Sequence, residues 1–429
     1  MSMPLLTYLE AAEQLQLYIQ ELPHLDHPTE SLPLHAAAGR VLATGITADR
    51  DQPPFPRSTR DGYACRASEA HQLLAIAGHT RAGETPGGSL IPGHAWEIMT
   101  GAPVPDGADC VVMVEHVEQT GESIRLQPSR TIRPGDNIVS QGAEARAGDL
   151  LIPSGIRIGP AQIALAAQCG LSHLIVAARP RVAILATGDE LVPVEATPGP
   201  SQIRNSNAPM LAALAAEAGG EPLILPVAHD NHESVSAALA QALELNPDLL
   251  LISGGISAGK FDLVEDGLTR LGANFLFSGV AIQPGKPIVF GQIPGTSRQD
   301  QAVSQEAANT NPGQIRRPLP FFALPGNPVS SAVTFHLFAA PLLAALAQDS
   351  RPQPRFAKAR LGTPWKGSPG LTRFLPARCD FRSGEPETRL VPWQGSGDIA
   401  AFARANCFAV IPPEAGEVVA GSSVAILLI

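Results

Sequence analysis

Residues 253–262 read SGGISAGKFD and directly follow the apolar run DLLLI. A short apolar run bounded by turn residues predicts a buried strand, and the glycines after it predict a loop that leads into a helix. Glycines let successive backbone amides converge on an anion, and a helix N-terminus adds partial positive charge. We therefore interpret this stretch as a loop whose amides and carboxylate hold phosphate groups and a metal ion.

Three further predicted strand ends carry the same kinds of residue, in the stretches ILATGDEL, VAHDN and FFALPGNPVSS. In doubly wound parallel sheets, ligands bind where loops leave the carboxyl ends of the strands. The candidate residues at the four strand ends are Thr187, Gly188, Glu190, Asp230, Ser253, Gly254, Gly255, Ser257, Gly259, Asp262, Pro325, Gly326, Asn327 and Pro328.

The carboxylates of Glu190, Asp230 and Asp262 would repel one another at neighbouring strand ends unless a cation lies between them. Carboxylate oxygens that share a site with substrate phosphates are typical ligands of magnesium. The sequence therefore predicts a Mg²⁺ ion bound by these three residues.

Each feature also has a plain structural explanation. The SGG stretch could be a turn, Asp230 could cap the helix that DNHES opens, and PGNP could be a rigid turn at a helix entry. His229 and His232 could be solvated loop residues instead of metal ligands. The features favour a phosphate and metal site only because they follow consecutive strands of one predicted sheet.

Two other stretches, PPFPRSTRDGYA and IMTGAPVP, present Asp61 and Thr100 at predicted turns. Proline stiffens the first stretch, and Asp-Gly is a turn dipeptide that presents a carboxylate. Physical reasoning alone favours two ordinary turns here.

The elements that must position these residues differ along the chain. An amphipathic helix is predicted to end near Glu21, and β-like runs with Gly-Pro or Gly-Asp turns extend from Leu42 to Leu151. From Arg181, apolar runs of about five residues alternate with amphipathic helices, which predicts a doubly wound, mostly parallel sheet. Residues 294–318 read as a polar surface insert, and a small β-rich domain is predicted beyond Pro352.

The length, charge and cysteine content of the chain indicate its number of domains and exclude some classes of protein. At 429 residues the chain predicts about three domains, and its formal charge of −10 argues against a nucleic-acid surface. The five cysteines are scattered without a CxxC pair, which favours a reducing compartment with neither disulfides nor a zinc site. We find no signal peptide and no uninterrupted apolar membrane span, so we expect a cytoplasmic protein with no membrane partner.

Eight motifs occur in an order that resembles the MoeA family of molybdopterin molybdenumtransferases, whose animal relative is the C-terminal domain of gephyrin. They are PPFPRSTRDGYA, MTGAPVPDGAD, GDNIVSQGAE, LATGDEL, IRNSN, DLLLISGGISAGKFD, PGKPIVFG and ALPGNPVSS. The similarity covers nearly the whole chain outside residues 294–318. The number and the order of the motifs make it specific.

The resemblance implies a transferase of molybdenum cofactor biosynthesis, with adenylylated molybdopterin and molybdate as substrates and Mg²⁺-dependent release of AMP. It also implies an elongated homodimer of four-domain subunits, and a transient contact with the molybdopterin adenylyltransferase that acts one step earlier. The expected parts are a linker domain with an N-terminal helix (1–45 plus 140–178), a β-rich module (46–139), a molybdopterin-binding α/β domain (179–350) and a C-terminal β-barrel-like domain (351–429).

Matching the motifs position by position implies roles for single residues. Glu190, Asp230 and Asp262 would lie at the metal and catalytic site, and Asp61 and Thr100 would approach it from the partner subunit. The glycine loop and the helix entry would hold the pterin and its phosphates. Four residues would bind molybdate, with charge from the two basic ones and hydrogen bonds from the two serines: Lys286, Arg373, Ser330 and Ser396.

The chain departs from the family pattern at several positions. Gln283 replaces the first lysine of the usual KPGKP, and Lys260 stands where relatives commonly have an acidic residue. One hypothesis is that Lys260 partly replaces the missing charge. Arg60 and Glu144 also differ from the usual methionine and aspartate, which affects fine geometry and not the fold.

Two alternative functions remain open from the sequence. One is the adenylyltransferase itself, whose fold resembles the predicted sheet domain, although that enzyme is a single domain. The other is a gephyrin-like scaffold with weakened catalysis.

Overall fold

The computed structural model of the chain describes residues 4–22, 28–255, 263–295, 317–381 and 384–429. The predicted site residues Ser257, Gly259 and Asp262, as well as Lys260 and most of the predicted insert, lie outside these ranges. By internal contacts the chain divides into two units. Unit 1 comprises residues 1–30, 39–41 and 177–429, and unit 2 comprises residues 31–38 and 42–176.

The helices of the described ranges fall mainly in unit 1. They are α1 (Tyr8–Glu21), α2 (Pro160–Gln168), α3 (Asn207–Glu217), α4 (His232–Glu244), α5 (Leu263–Arg270), α6 (Pro328–Thr334), α7 (Ala340–Leu346) and α8 (Ile399–Phe402). A π-helical turn, Phe335–Ala339, joins α6 to α7, and short 3₁₀ turns occur at Leu34–Ala36 and Val114–His116.

The strands up to residue 152 are β1 (Thr29–Pro33), β2 (Ile46–Thr47), β3 (Arg57–Ser58), β4 (Gly62–Cys65), β5 (Leu74–Thr80), β6 (His94–Ile98), β7 (Cys110–Met113), β8 (Val117–Thr120), β9 (Ser123–Leu126), β10 (Ile138–Val139) and β11 (Leu150–Ile152). The strands from residue 173 to residue 324 are β12 (His173–Ala177), β13 (Arg181–Ala186), β14 (Leu191–Val192), β15 (Ile203–Arg204), β16 (Glu221–Ile224), β17 (Leu249–Ser253), β18 (Asn274–Ser278), β19 (Ile282–Gln283), β20 (Val289–Ile293) and β21 (Leu319–Leu324). The remaining strands are β22 (Phe356–Leu361), β23 (Trp365–Lys366), β24 (Thr372–Asp380), β25 (Glu387–Leu390), β26 (Cys407–Ile411), β27 (Glu417–Val418) and β28 (Ser423–Leu428).

The main sheet of unit 1 has the strand order β16-β13-β17-β21-β20-β18. The first four strands are parallel, while β20 and β18 form an antiparallel edge. The predicted mostly parallel sheet is thus confirmed. The run PIVFG contributes β20, which pairs antiparallel with both β21 and β18.

Helices cover both faces of this sheet. Alternate side chains of β13 enter two different cores: Val182 and Ile184 pack with α3, α6 and α7, whereas Ala183 and Leu185 pack with α4 and α5. Strands buried on both faces read as unbroken apolar runs, which is why RVAILA, DLLLI and FFAL were recognisable in the sequence. The fold is therefore doubly wound, as predicted.

Helix α1 packs against the first of these two cores. Ala11 and Leu15 are fully buried there, and the ring of Tyr18 meets that of Phe290 edge-on with 5.1 Å between centroids. The helix follows a capping box at Thr7 and ends where the sequence predicted. By internal contacts α1 belongs to unit 1, and the four-domain division that groups it with residues 140–178 stays a prediction.

The C-terminal part of unit 1 closes on itself. Strand β24 pairs with β25, β25 with β22, β22 with β28, β28 with β26, and β26 again with β24. Because the ring of pairings has no free edge, these strands form a small barrel. This agrees with the β-barrel-like domain expected from the resemblance, although its boundaries stay a prediction.

Unit 2 is built on a sheet of order β7-β4-β6-β5-β9-β8, antiparallel except for the β5–β6 pair. Adjacent residues of β4 enter different cores, with Tyr63 and Cys65 on one face and Ala64 on the other. The β-rich character predicted for this region is confirmed.

The α6–α7 segment, Pro328–Leu346, is apolar enough to meet the composition of a membrane span, with a mean hydropathy of 1.7. Inside the unit 72% of that stretch is buried, so its apolar surface is accounted for by core packing. Composition of this kind is expected for a core helix as well as for a membrane helix.

His336, in the π-helical turn, gives a testable pH dependence. Burial, with a smaller contribution from the charge of Arg355, lowers the pKa of His336 to about 4 from an ordinary value of 6.5. The unfolded chain therefore takes up a proton as pH falls below the ordinary value, while the folded chain does not. We expect the free energy of unfolding to fall by about 2 kcal/mol from this group between pH 7.5 and pH 5.

Urea unfolding of the unsubstituted protein and of a His336→Leu variant at both pH values measures this effect. The difference between the two proteins isolates this histidine from the other ten in the chain. An equal loss of stability in both proteins would contradict the assignment.

Candidate active site

The candidate site lies in unit 1, where three neighbouring parallel strands end at the same level. The register pairs Ala186 with Ser253, and Ser253 with Leu324, so the residues that follow leave the sheet side by side. The amide of Thr187 donates to the carbonyl of Ser253 at 3.0 Å, and the amide of Gly254 donates to the carbonyl of Leu324 at 3.3 Å. The structure thus brings together Thr187, Gly188, Ser253, Gly254, Gly255, Pro325, Gly326, Asn327 and Pro328.

The two glycines after β17 are required by their surroundings. Gly254 and Gly255 have φ angles of +93° and +69°, which side chains with a Cβ rarely adopt. A Cβ on Gly254 would collide with the carbonyl oxygen of Thr187, and one on Gly255 would lie 2.8 Å from the Thr187 hydroxyl. The backbones of these loops can lie this close only because neither residue has a side chain.

Two of the three predicted metal ligands lie on adjacent loops. The amide of Gly188 donates to the carbonyl of Ala228 at 3.1 Å, which ties the loop after β13 to the segment before α4. The side chains of Asp189 and Asp230 then lock the loops together: each accepts from the other residue's backbone amide, at 3.2 Å and 3.4 Å. The Glu190 carboxylate folds against Gly188 in the same loop, and both Glu190 and Asp230 are exposed.

The plain explanation of Asp230 as a helix cap is wrong. Asn231 caps α4, its side chain accepting from the amide of Ser234 at 2.9 Å. His229 contacts Asp189 and His232 contacts Asp266, each at 3.1 Å. The carboxylate of Asp230 is therefore not committed to the helix end.

The oxygen chemistry of Glu190 and Asp230 suits a magnesium ion. Within the described ranges, no group of three or more histidine, cysteine, aspartate or glutamate side chains is arranged to hold a metal. The third predicted ligand, Asp262, is outside those ranges, so the magnesium site stays a prediction.

The four residues expected to bind molybdate lie on α6 or on segments linked to it by contacts. Arg373 of β24 is paired in register with Gln283 of β19, and the PGKP turn with Lys286 follows that strand directly. A Cβ on Gly285 in this turn would lie 2.6 Å from Thr334, whose hydroxyl donates to the carbonyl of Ser330 at 2.8 Å. The contact between Gly285 and Thr334 therefore places the turn that contains Lys286 against α6, the helix that carries Ser330.

Ser396, the fourth residue of this group, contacts the first turn of α6. Its carbonyl accepts from the amide of Val329, next to Ser330, at 3.0 Å. Arg373 is held with its guanidinium 5.2 Å from the centre of the Trp365 ring, and its Nη1 donates to the carbonyl of Leu371 at 3.2 Å. Cation–π contact and a hydrogen bond orient this guanidinium without neutralising its charge.

Asp61 and Thr100 meet in unit 2. They flank the paired strands β4 and β6, and the amide and hydroxyl of Thr100 both donate to Oδ1 of Asp61, at 2.6 Å and 2.7 Å. These bonds, the one from the hydroxyl first, lower the pKa of the solvent-exposed Asp61 carboxyl. The two turns are thus one coupled feature, which sequence reasoning from the residues alone had taken as two ordinary turns. Their approach to a partner subunit stays a prediction.

Asn207, the first residue of α3, is a site residue that sequence reasoning missed. Its side-chain amide donates to the Ser253 hydroxyl and to the Gly326 carbonyl, both at 2.7 Å. It belongs to the motif IRNSN, which contributed to the family resemblance but carried no assigned role. Its partners lie far away in sequence, so only the fold reveals the contact.

Three family models match consecutive parts of the chain. The MoeA N-terminal region (domain I and II) matches residues 8–170, a probable molybdopterin binding domain matches residues 183–345, and the MoeA C-terminal region (domain IV) matches residues 358–429. The candidate site at the strand ends lies within the second match, and the barrel lies within the third except for the first two residues of β22.

Whole-chain relatives agree with these matches. The molybdopterin molybdenumtransferase of Bacillus subtilis is 33% identical over 411 residues, covering 94% of this chain and 90% of its own length. That of a Nostoc species is 32% identical over 417 residues, covering 95% and 90%. The crystal structure of a molybdopterin biosynthesis MoeA protein from Pyrococcus horikoshii matches 99% of both chains at 30% identity, with a TM-score of 0.72.

Proposed function

Because the chain belongs to the family of molybdopterin molybdenumtransferases, we propose that it transfers molybdenum to molybdopterin in the biosynthesis of the molybdenum cofactor. The observation that carries this proposal is the set of glycine-rich loops at three adjacent strand ends, with two carboxylates beside them. Backbone amides at such loops bind phosphate groups without needing a positive side chain.

The finer proposal is that the substrates are adenylylated molybdopterin and molybdate and that AMP is released. The loops at Thr187, Ser253 and Pro325 would bind the phosphates, while Lys286 and Arg373 would attract the molybdate dianion. Ser330 and Ser396 would add hydrogen bonds, so that molybdate is held near the dithiolene sulfurs and proximity supplies much of the rate. A bound Mg²⁺ would neutralise phosphate oxygens, with Glu190, Asp230 and Asp262 as its proposed ligands.

We further propose a homodimer in the cytoplasm in which Asp61 and Thr100 of one subunit serve the site of the other. The support is that Asp61 and Thr100 are both exposed and are joined by two hydrogen bonds, which hold the carboxylate in a fixed position on the surface of unit 2. A transient contact with the molybdopterin adenylyltransferase belongs to the same proposal.

Gel filtration with light scattering tests whether the protein is a dimer. Mixing an inactive Asp61→Ala chain with an inactive Asp230→Ala chain tests whether the two subunits share a site, because activity should return in the mixed dimer.

The adenylyltransferase alternative is not favoured, because relatives named for molybdenum transfer match 94% or more of the chain. The scaffold alternative requires loss of catalysis, and Glu190 and Asp230 remain in place at the site. An activity assay separates the three functions.

The test is release of AMP from adenylylated molybdopterin, with and without molybdate, followed by chromatography. We expect release to depend on molybdate. Lys286→Ala and Arg373→Ala should each raise the molybdate concentration for half-maximal rate about tenfold or more, because each removes a charge from the oxyanion site. Lys358→Ala, which removes an exposed lysine of the barrel, is the matched control and should have no effect. No release at millimolar molybdate with magnesium present would contradict the proposed function.

A further inference from the structure

Asn207 links two loops of the candidate site that are distant in sequence. Its Nδ2 donates to Oγ of Ser253, 46 residues away, and to the carbonyl oxygen of Gly326, 119 residues away, both at 2.7 Å. The residue is 8% exposed and Ser253 is 2% exposed. These bonds therefore lie beneath the loops, shielded from water, where a hydrogen bond is stronger than at the surface.

The chemistry of the partners determines which way the amide faces. A backbone carbonyl can only accept, so the NH₂ group of Asn207 must point to Gly326. The same NH₂ group donates to Ser253, whose hydroxyl accepts there and keeps its own proton for another acceptor. Asn207 thus leaves the Ser253 hydroxyl free to donate to a ligand oxygen.

The oxygen atom of the Asn207 side-chain amide makes no hydrogen bond that would stabilise the described part of the fold. Oδ1 of Asn207 is buried with no hydrogen-bond partner among the described residues, and so is Oγ1 of Thr187 in the adjoining loop. A buried polar atom without a partner is destabilising, and native structures contain few of them. Two such atoms below the same loops indicate that polar groups are placed here for a ligand and not for folding.

The two linked loops are in direct contact. A Cβ on Gly326 would lie 3.8 Å from Cα of Gly254, and the amide of Gly254 reaches the Leu324 carbonyl at a long 3.3 Å. The two bonds of Asn207 therefore add a side-chain link to the strand register that sets the spacing of the loops. A change in that spacing moves every amide that faces a bound phosphate.

We propose that Asn207 is a positioning residue for phosphate binding, holding the Ser253–Gly255 loop and the Pro325–Gly326 turn at the distance at which both contact one phosphate group. The inference rests on the proposed function, since it takes the phosphate to be that of the adenylylated substrate. It adds a residue to the site and assigns Ser253 as a hydrogen-bond donor to the phosphate.

The test uses AMP as the probe and measures its dissociation constant by titration calorimetry at pH 8 and pH 6. Asn207→Leu has a similar shape and no donor, and we expect it to weaken AMP binding about tenfold or more at both pH values. Asn207→Asp loses both donors as a carboxylate but regains one when protonated. Burial raises the pKa of such a carboxyl, so binding by this variant should recover toward pH 6.

Each value is compared with that of the unsubstituted protein at the same pH, because the phosphate of AMP also titrates in this range. A purely structural role for Asn207 would not produce a pH-dependent ratio in the aspartate variant alone. If Asn207→Leu does not fold, the pH profile of Asn207→Asp decides by itself. Binding by both variants within twofold of the unsubstituted protein would overturn the inference.

Asn205→Ala is the matched control. Asn205 is also buried in the same segment, but its side chain accepts from the amide of Ala208 at 3.1 Å, a bond local to the start of α3. We expect this variant to melt at a lower temperature and to bind AMP within twofold of the unsubstituted protein. A loss of AMP binding equal to that of Asn207→Leu would overturn the inference, because it would reflect general disruption of α3.

Failure of the inference and failure of the proposed function are distinguishable. If the unsubstituted protein does not bind AMP at all, the inference is wrong whatever the activity. If the unsubstituted protein binds AMP and the Asn207 variants bind it more weakly, the inferred phosphate site is supported. If that same protein releases no AMP from adenylylated molybdopterin, the proposed function is wrong.

Discussion

Asp230→Asn is expected to lower molybdate-dependent AMP release by about a hundredfold or more. The carboxylate of Asp230 is exposed beside the glycine loops and does not cap α4, since Asn231 does. Its charge is thus available to the ligand, and loss of a proposed metal ligand removes several kcal/mol of stabilisation from the transition state. Asparagine keeps an oxygen that can accept from the amide of Asp189, so the fold should be retained.

Steady-state assays over a range of MgCl₂ concentrations measure this effect. More magnesium should partly restore the rate, because the variant lowers affinity for the proposed ion. Glu233→Gln is the matched control: it removes an exposed carboxylate in the first turn of α4, three residues away, and should leave the rate unchanged. A rate for Asp230→Asn above half that of the unsubstituted protein would show that the carboxylate has no role in the reaction.

Gly254→Ala is expected to lower the free energy of unfolding by about 3 kcal/mol and to abolish measurable AMP binding. Its φ of +93° is unfavourable for alanine, and the new methyl group would collide with the Thr187 carbonyl oxygen. Relief of the collision must separate the loop after β17 from the loop after β13. The amides that are proposed to bind phosphate would then no longer converge.

Gly326→Ala separates this collision from a general intolerance of alanine in these loops. The nearest atom to its Cβ, Cα of Gly254, is at an ordinary contact distance of 3.8 Å. Chemical denaturation should therefore give nearly unchanged stability for this variant. Equal losses of stability in Gly254→Ala and Gly326→Ala would contradict the steric argument.

Much of the sheet unit was predictable because the signals for it are local. The buried strands read as apolar runs, and the helices between them have amphipathic periodicity. Strand β18 was missed because its sequence, NFLFS, is short and only partly buried at an edge of the sheet. The π-helical turn at Phe335–Ala339 was also invisible, since nothing in an apolar helical run distinguishes one hydrogen-bond spacing from another.

The candidate site was predictable in part. Glycines and carboxylates that follow strands are recognisable in the sequence, and the fold does bring Thr187, Gly254 and Gly326 together. The sequence left open whether Asp230 caps α4, because Asp230 and Asn231 are adjacent and both suit an N-cap. The hydrogen bond from the amide of Ser234 to the Asn231 side chain decided for Asn231.

The sequence by itself determined the buried parallel strands, the amphipathic helices and where the glycine-rich loops begin, because these depend on side chains close together in the chain. The tertiary structure alone decided which loops are neighbours. The order β16-β13-β17-β21 places Asn207 against a residue 119 positions away, and β19 beside β24 places Gln283 next to Arg373. The physical reason is that such contacts depend on strand order and register, which arise from packing the whole unit and leave no mark at any single position.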